Sequence, residues 1–261
     1  MTGPPPAAGA PAGRGERKAK RMAARRVRRS EARRRAVRGT ITVTGELLIT
    51  LGVVMFLFIG YQLWYTNQTA QRHVEQATQE LRERWTDEGP AGHTRPAAFD
   101  AGDNFALLYI PRLGLKVPVA EGTDKQRVLD RGLVGHYGAA PLKTAMPWDA
   151  EGNFALAGHR ASHGEPFRDI GRLKAGDAIV VETRDAYYTY ETTSQLPSTS
   201  PADVGVLQPV PRGSTFTGPG RYITLTTCTP RYTSTHRLIV WGRLTDERPR
   251  ADGAPPALTG R

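Results

Sequence analysis

The stretch that most constrains the fold is the apolar run ITVTGELLITLGVVMFLFIGYQLWY, Ile41 to Tyr65. As a helix it is about long enough to cross a bilayer core, for which roughly 20 residues suffice. Glu46 is its only residue charged at neutral pH and lies near the start, where a carboxylate reaches the headgroups, while Tyr61, Trp64 and Tyr65 form an aromatic belt at the far end. Residues 1–40 carry 13 Lys or Arg against 2 Glu, a net of +11 that equals the formal charge of the whole chain. A Pro/Ala/Gly segment followed by arginines builds no core, so residues 1–40 are expected to be a disordered or transiently helical basic tail. Such a tail suits nucleic acid or the cytoplasmic flank of a membrane segment, and its position directly before the apolar run selects the flank. By the positive-inside rule residues 1–40 stay in the cytoplasm and everything after Tyr65 lies outside the cell. A buried globular helix and a cleaved signal peptide are the alternatives. The sequence TNQTAQRHVEQ after the run offers no small-x-small cleavage site, so residues 41–65 read as an uncleaved signal anchor. Membrane lipids are the expected partners of the anchor and the tail, and no nucleic acid is expected.

An exported chain with one cysteine has no intrachain disulfide and rests on its core alone; the odd thiol is itself a flag for reactivity. Val74, Ala77, Leu81 and Trp85 recur at helical spacing, which predicts a stem helix followed by a turn-rich linker over 88–98, together 66–102. The folded domain is expected over 103–246. Strand signals lie at Phe105–Ile110, Leu115–Val119, Asn153–His159, Asp177–Thr183 and Ala186–Thr192, with a helical turn at Lys125–Arg131 and a short helix at Phe167–Leu173. Ser194–Gly220, rich in Pro, Ser, Thr and Gly, reads as a long surface loop, and 247–261 as a disordered tail. Many short strands with turns and little helix make the class mainly β, a barrel or a sandwich.

The last two strands enclose the cysteine. In Tyr222–Thr226, Ile223 and Leu225 alternate with threonines, so Thr224, Thr226 and Cys228 share the face turned away from the core. Arg237–Leu244 follows after an eight-residue connection, and a hairpin pairing Cys228 with Arg237 sets their Cβ atoms about 4.5–5.5 Å apart. A guanidinium there favours thiolate, the nucleophilic form. The plainer reading of a lone cysteine is a small buried hydrophobe; the alternation argues against it. Of the six histidines, 73 and 93 fall in the stem and linker, and His236 adjoins a cation. His159 ends a strand on the face opposite Phe154 and Leu156, the geometry inferred for Cys228. A cysteine, a histidine and an arginine on one outer face would supply nucleophile, acid/base and oxyanion donor for thiol acyl transfer.

Thr224-Leu-Thr-Thr-Cys228 with Arg237 nine residues later, Ala157-Gly-His159-Arg160 upstream, Ile110-Pro111, Gly135-His136-Tyr137 and Lys174-Ala-Gly-Asp177 together resemble the sortases, cell-surface transpeptidases of Gram-positive bacteria. The resemblance covers about 105–244. It implies an eight-stranded β-barrel with short helices, Cys228 as nucleophile, His159 as general acid/base and Arg237 as stabiliser of substrate and oxyanion. TLTTCTPRY, the GHY segment and the long basic tail are most similar to the class E sortases of high-GC actinobacteria, which favour a Leu-Ala-X-Thr-Gly signal over Leu-Pro-X-Thr-Gly, with Tyr137 a candidate for that choice. His136, Thr226 and Thr227 are further candidates for peptide contact, His136 equally a structural loop residue. Val134 departs from the proline more usual before Gly-His, and residues 139–152 are longer than usual. The implied function is cleavage of a Leu-Ala/Pro-X-Thr-Gly signal between Thr and Gly and transfer of the surface protein to a peptidoglycan-precursor amine of lipid II type, with no cofactor and no metal. A pilus-polymerising sortase is the enzymatic alternative, disfavoured because no apolar run follows residue 244. Ser162-His163-Gly164 lacks the downstream cysteine of an L,D-transpeptidase. The remaining alternative is a non-catalytic, membrane-tethered β-domain with Cys228 buried.

Overall fold

The computed structural model describes residues 14–87 and 99–260. By internal contacts the chain divides into two units, 1–61 and 62–261. Helix α1, Arg14–Asp87, contributes to both.

In the first unit the apolar side chains from Leu47 to Ile59 are exposed, and the helix is long and apolar enough to cross a membrane. Residues 14–40, read from their composition as disordered or transiently helical, lie in the helix. The physical reason is local: Ala, Arg, Lys, Met and Glu dominate the segment, and all are strong helix formers.

The second unit is built on eight strands: β1 Asn104–Ile110, β2 Leu115–Glu121, β3 Val134–His136, β4 Gly152–Ala157, β5 Ala178–Glu182, β6 Ala186–Thr199, β7 Arg221–Thr229 and β8 His236–Pro249. They close into a barrel in the order β1-β2-β3-β4-β7-β8-β6-β5. The pairs β2–β3 and β4–β7 are parallel and the other six antiparallel. Inward side chains, including Leu108, Val119, Phe154, Leu156, Tyr188, Ile223, Leu225 and Val240, form one continuous core. Period-2 alternation dictates what the other face carries: Ala155, Thr224, Thr226 and Trp241 point outward, yet all are buried.

What covers them is the segment read as a long loop. Its first part continues β6, pairing Ser194 with Trp241, Leu196 with Ile239 and Thr199 with Arg237. Pro197 masked this from the sequence; it falls where the register slips between Leu196 and Thr199, a place where a strand tolerates a missing donor. The remainder turns through Val204–Leu207 and sets Val206, Leu207 and Phe216 on Trp241 and Ile239, with Trp241 Nε1 donating to Val206 O at 3.2 Å.

Both expected ends of the folded domain also move outward. Ala77 packs with Ala120, Val128 and Leu133, while Leu81 and Trp85 pack with Leu107. The apolar stripe of the stem is therefore a docking face on the barrel, not a free stalk, because its side chains are buried only there. At the other end β8 runs to Pro249 against Ala186 and Tyr187, and Arg250 Nε reaches the buried Glu182 at 3.2 Å, so much of 247–261 is ordered by pairing that composition cannot signal. A short helix, α2, spans Pro256–Thr259. The expected linker at 88–98 lies outside the described residues.

Candidate active site

Cys228 stands near the end of β7, directly opposite Arg237 near the start of β8. The register is the one expected, since outward alternation through Thr224 and Thr226 leads to Cys228. Its thiol is free and half-buried. On its other side β7 pairs in parallel with β4, Ala157 opposite Thr226. Beyond that pair β7 continues to Cys228, while the chain that leaves β4 reaches His159 two residues past the strand's end. The chain leaves β4 through Gly158, whose N–H donates to Thr226 O at 3.1 Å. A Cβ there would meet the Phe167 ring at 2.7 Å, so the glycine is required for His159 to emerge at this point.

The imidazole is aimed by a residue that the sequence does not single out. His159 Nε2 lies 2.7 Å from Asp130 Oδ1. An ionised carboxylate only accepts, so the ring donates from Nε2 and, when neutral, keeps its lone pair on Nδ1. Asp130 comes from a short turn, Leu129–Arg131, between β2 and β3; no spacing or motif ties it to His159. His163 stacks on His159, ring centroids 5.2 Å apart, and its pKa is lowered chiefly by burial, against the opposing pull of Asp130. Arg160, the last residue of the Ala157–Arg160 motif, also holds the site: Nη1 donates to Cys228 O at 3.3 Å and Thr229 Oγ1 at 2.8 Å, pinning the strand end that carries the thiol.

Arg237 is turned toward its own loop. Nη1 donates to Ser234 O and His236 O, both at 3.0 Å. This modifies the expectation of a guanidinium resting on the thiol: Nη1 is held by carbonyls of its own loop.

Tyr137 lies in the same corner. Thr226 Oγ1 donates to Leu156 O at 3.0 Å, so at 3.1 Å the Tyr137 hydroxyl is the donor to Thr226. Burial raises the Tyr137 pKa, while the Thr226 bond and the charge of Arg237 pull the other way. Thr226 is itself buried, and it supports Tyr137 instead of facing solvent.

Two substrate-contact candidates are buried and bonded within the barrel. His136 is 1% exposed and clamps the barrel, with Nδ1 2.8 Å from Glu121 Oε2 and Nε2 3.0 Å from Thr144 Oγ1. Strand alternation turns it into the barrel wall, against Phe105 and Phe154. Thr227 alternates to the inner face and donates from Oγ1 to Gly158 O at 2.7 Å, closing the end of the β4–β7 ladder.

A buried core with a thiol, an oriented imidazole, an anchored guanidinium and a phenol on one outer face has the parts for acyl transfer. Comparison with known proteins points the same way. Residues 108–245 match the sortase domain family. Sortase SrtE1 of Streptomyces coelicolor is 56% identical over 214 residues, 82% of this chain and 60% of that protein, so the match spans less than two thirds of the relative. Sortase SrtE2 of the same organism is 39% identical over 94% of this chain and 92% of its own length. The crystal structure of Sortase E1 from Streptomyces coelicolor with tripeptide in the active site superposes with a TM-score of 0.60 at 61% identity, covering 60% of this chain and 97% of that one.

Proposed function

Because this chain belongs to the sortase family, whose members act on sorting-signal proteins and cell-wall precursors, we propose that it is a membrane-anchored cysteine transpeptidase with its barrel outside the cell. Cys228 is the nucleophile, His159 the general acid and base, and Arg237 the oxyanion donor. The observation that supports this reading is the register that sets Cys228 opposite Arg237, on a strand whose other neighbour, β4, leads within two residues to His159.

The thiolate of Cys228 attacks the threonine carbonyl of a Leu-Ala-X-Thr-Gly or Leu-Pro-X-Thr-Gly signal. Arg237 N–H groups donate to the oxygen that gains charge. Protonated His159 gives its proton to the departing glycine nitrogen, the Thr–Gly bond breaks, and a thioester remains on Cys228. An amine of a lipid II-type peptidoglycan precursor then attacks that carbonyl, neutral His159 takes the amine's proton, and the thiolate leaves with an amide formed. Asp130 keeps the imidazole in position through both transfers. Tyr137, held from beneath by Thr226, is the side chain placed to discriminate alanine from proline at the second position of the signal. The basic residues before the anchor and the aromatic residues after it support an N-terminus inside the cell.

The test is cleavage of a fluorogenic Leu-Ala-X-Thr-Gly peptide by the full chain in detergent. Cys228→Ala should abolish cleavage and stop labelling by a small thiol reagent under native conditions. A thiol that labels only after denaturation would point instead to the non-catalytic β-domain. Competing Ala- and Pro-containing peptides then rank the signals.

A further inference from the structure

At the mouth of the proposed site, Asp130, His159 and His163 converge more closely than acid/base catalysis requires. Asp130 Oδ1 lies 2.7 Å from His159 Nε2 and 3.7 Å from His163 Nδ1. The three donor atoms all fall within 4.8 Å of one another. His163 Nδ1 is buried without a hydrogen-bond partner among the described residues, so this nitrogen is aimed at the cluster with its bonding unmet. The loop that aims it is unusual. His163 and Glu165 have φ of 52° and 50°, a left-handed conformation that residues with a side chain rarely adopt, with Gly164 at 80° between them. It is held from two sides: Gly164 N–H donates to Asn67 Oδ1 at 3.1 Å, and the His163 carbonyl packs so closely on Gly132 that a Cβ there would sit 3.1 Å from it.

We propose that Asp130, His159 and His163 form a binding site for a divalent zinc ion, and that zinc held there stops peptide transfer by occupying the His159 ring.

Two imidazoles and one carboxylate suit zinc, and they are too few and too nitrogen-rich for calcium or magnesium. Tetrahedral zinc with bonds of about 2.0–2.2 Å places its donors roughly 3.4 Å apart. The 2.7 Å and 3.7 Å separations bracket that value and the third lies within 4.8 Å, so small side-chain rotations complete the set. The side chains of Asp130, His159 and His163 are 24%, 18% and 29% exposed, which leaves an approach for the ion and a fourth position for water. Burial lowers the His163 pKa, in keeping with the neutral ring that coordinates. As zinc binds, the proton that His159 shows to Asp130 moves from Nε2 to Nδ1, and Nε2 gives its lone pair to the metal. The ring then has no lone pair left to take a proton from thiol or amine. His163 keeps its proton on Nε2 and coordinates through Nδ1. The inhibitory half of this inference rests on His159 as acid/base; the binding half does not.

The experiment is zinc titration calorimetry on the full chain in detergent, freed of metal by chelation and carrying no histidine tag, beside peptide cleavage with and without zinc. Cys228→Ala is included because a thiol is a competing ligand. The expected result is one zinc per chain in both wild type and Cys228→Ala, with affinity lowered about 10- to 100-fold in His163→Gln and in Asp130→Asn. Each chain's cleavage rate is compared with its own metal-free rate. Wild type should fall at least about tenfold and recover on chelation, and His163→Gln should change less than about threefold at the same zinc concentration. Zinc binding that disappears in Cys228→Ala, or is unchanged in His163→Gln, overturns the site. Zinc bound at the site without loss of wild-type rate overturns the inhibitory half. Should wild type fail to cleave any signal peptide, the transpeptidase reading fails while calorimetry still decides the site.

Discussion

At the scale of single residues, each candidate group depends on a neighbour that holds it. His159 is presented by Gly158 and turned by Asp130; Cys228 is carried on a strand end that Arg160 pins; Tyr137 stands on Thr226. Replacing Asp130 by Ala removes the acceptor at Nε2 without touching the thiol. The expected outcome is a loss of about tenfold or more in kcat for signal-peptide cleavage, with KM little changed, because general acid–base catalysis contributes about 10²–10⁴-fold and needs an oriented ring. An unchanged kcat would mean that the 2.7 Å contact does not position the base. Tyr137→Phe keeps the ring and deletes the bond to Thr226, so a change in the preference between Ala- and Pro-containing signals, read by competition, is expected in place of a general loss of rate. The pairing of Cys228 with Arg237 was legible because alternation and hairpin pairing project forward from local sequence, whereas His159, expected to end a strand, lies two residues past the end of β4. Asp130 was not legible, because a turn residue 29 positions from its partner leaves no periodic trace. His136 and Thr227 sat beside the right motifs, but their side chains fall on the inner side of the pleat.

At the scale of elements, the strands of the barrel were legible wherever a period of two was clean, and lost where proline or polar residues interrupted it. The second half of β6 is the clearest case: Pro197 and the Ser/Thr content suggest a loop, while backbone pairing with β8 overrides both. The stem helix shows the complementary failure. Its stripe was visible, but what the stripe faces is a tertiary fact, and it faces β1 through Leu81, Trp85 and Leu107. Leu81 is 1% exposed, so Leu81→Ala should destabilise the second unit by about 2–5 kcal/mol through lost burial and a residual cavity. Denaturant unfolding of the full chain in detergent measures it, and a change below about 0.5 kcal/mol, the range of surface substitutions, would mean that the helix does not dock. The covering segment of Val206, Leu207 and Phe216 encloses Trp241 on the side of the barrel that carries Cys228. Trp241→Ala is expected to lower stability by about 3–5 kcal/mol and peptide cleavage with it, since the same strand carries Arg237.

At the scale of the whole molecule, buried phenols make the barrel sensitive to alkali. Tyr109, Tyr137, Tyr187 and Tyr190 all have raised pKa values, with burial the largest cause in each. The folded state therefore keeps protons that the unfolded chain releases above the ordinary tyrosine value of 10.0. Stability is full below that pH and falls as pH rises through it, because ionisation then favours the unfolded state. Melting temperatures measured between neutral and strongly alkaline pH should show this decline, and tyrosinate absorbance should lag behind that of the denatured chain; coincident titrations would contradict the burial. A long apolar run and a one-sided charge distribution are properties of sequence, whereas the closing order of eight strands is a property of long-range pairing. The central claim, that this barrel carries an acylated Cys228 through its reaction, is tested most directly by mass spectrometry of the full chain mixed with a Leu-Ala-X-Thr-Gly peptide and quenched in acid. The expected product is a chain heavier by the acyl fragment that ends in threonine, mapped to Cys228, lost on adding an acceptor amine and absent in Cys228→Ala. A chain that cleaves the peptide with no adduct at Cys228, or with an adduct elsewhere, would contradict it.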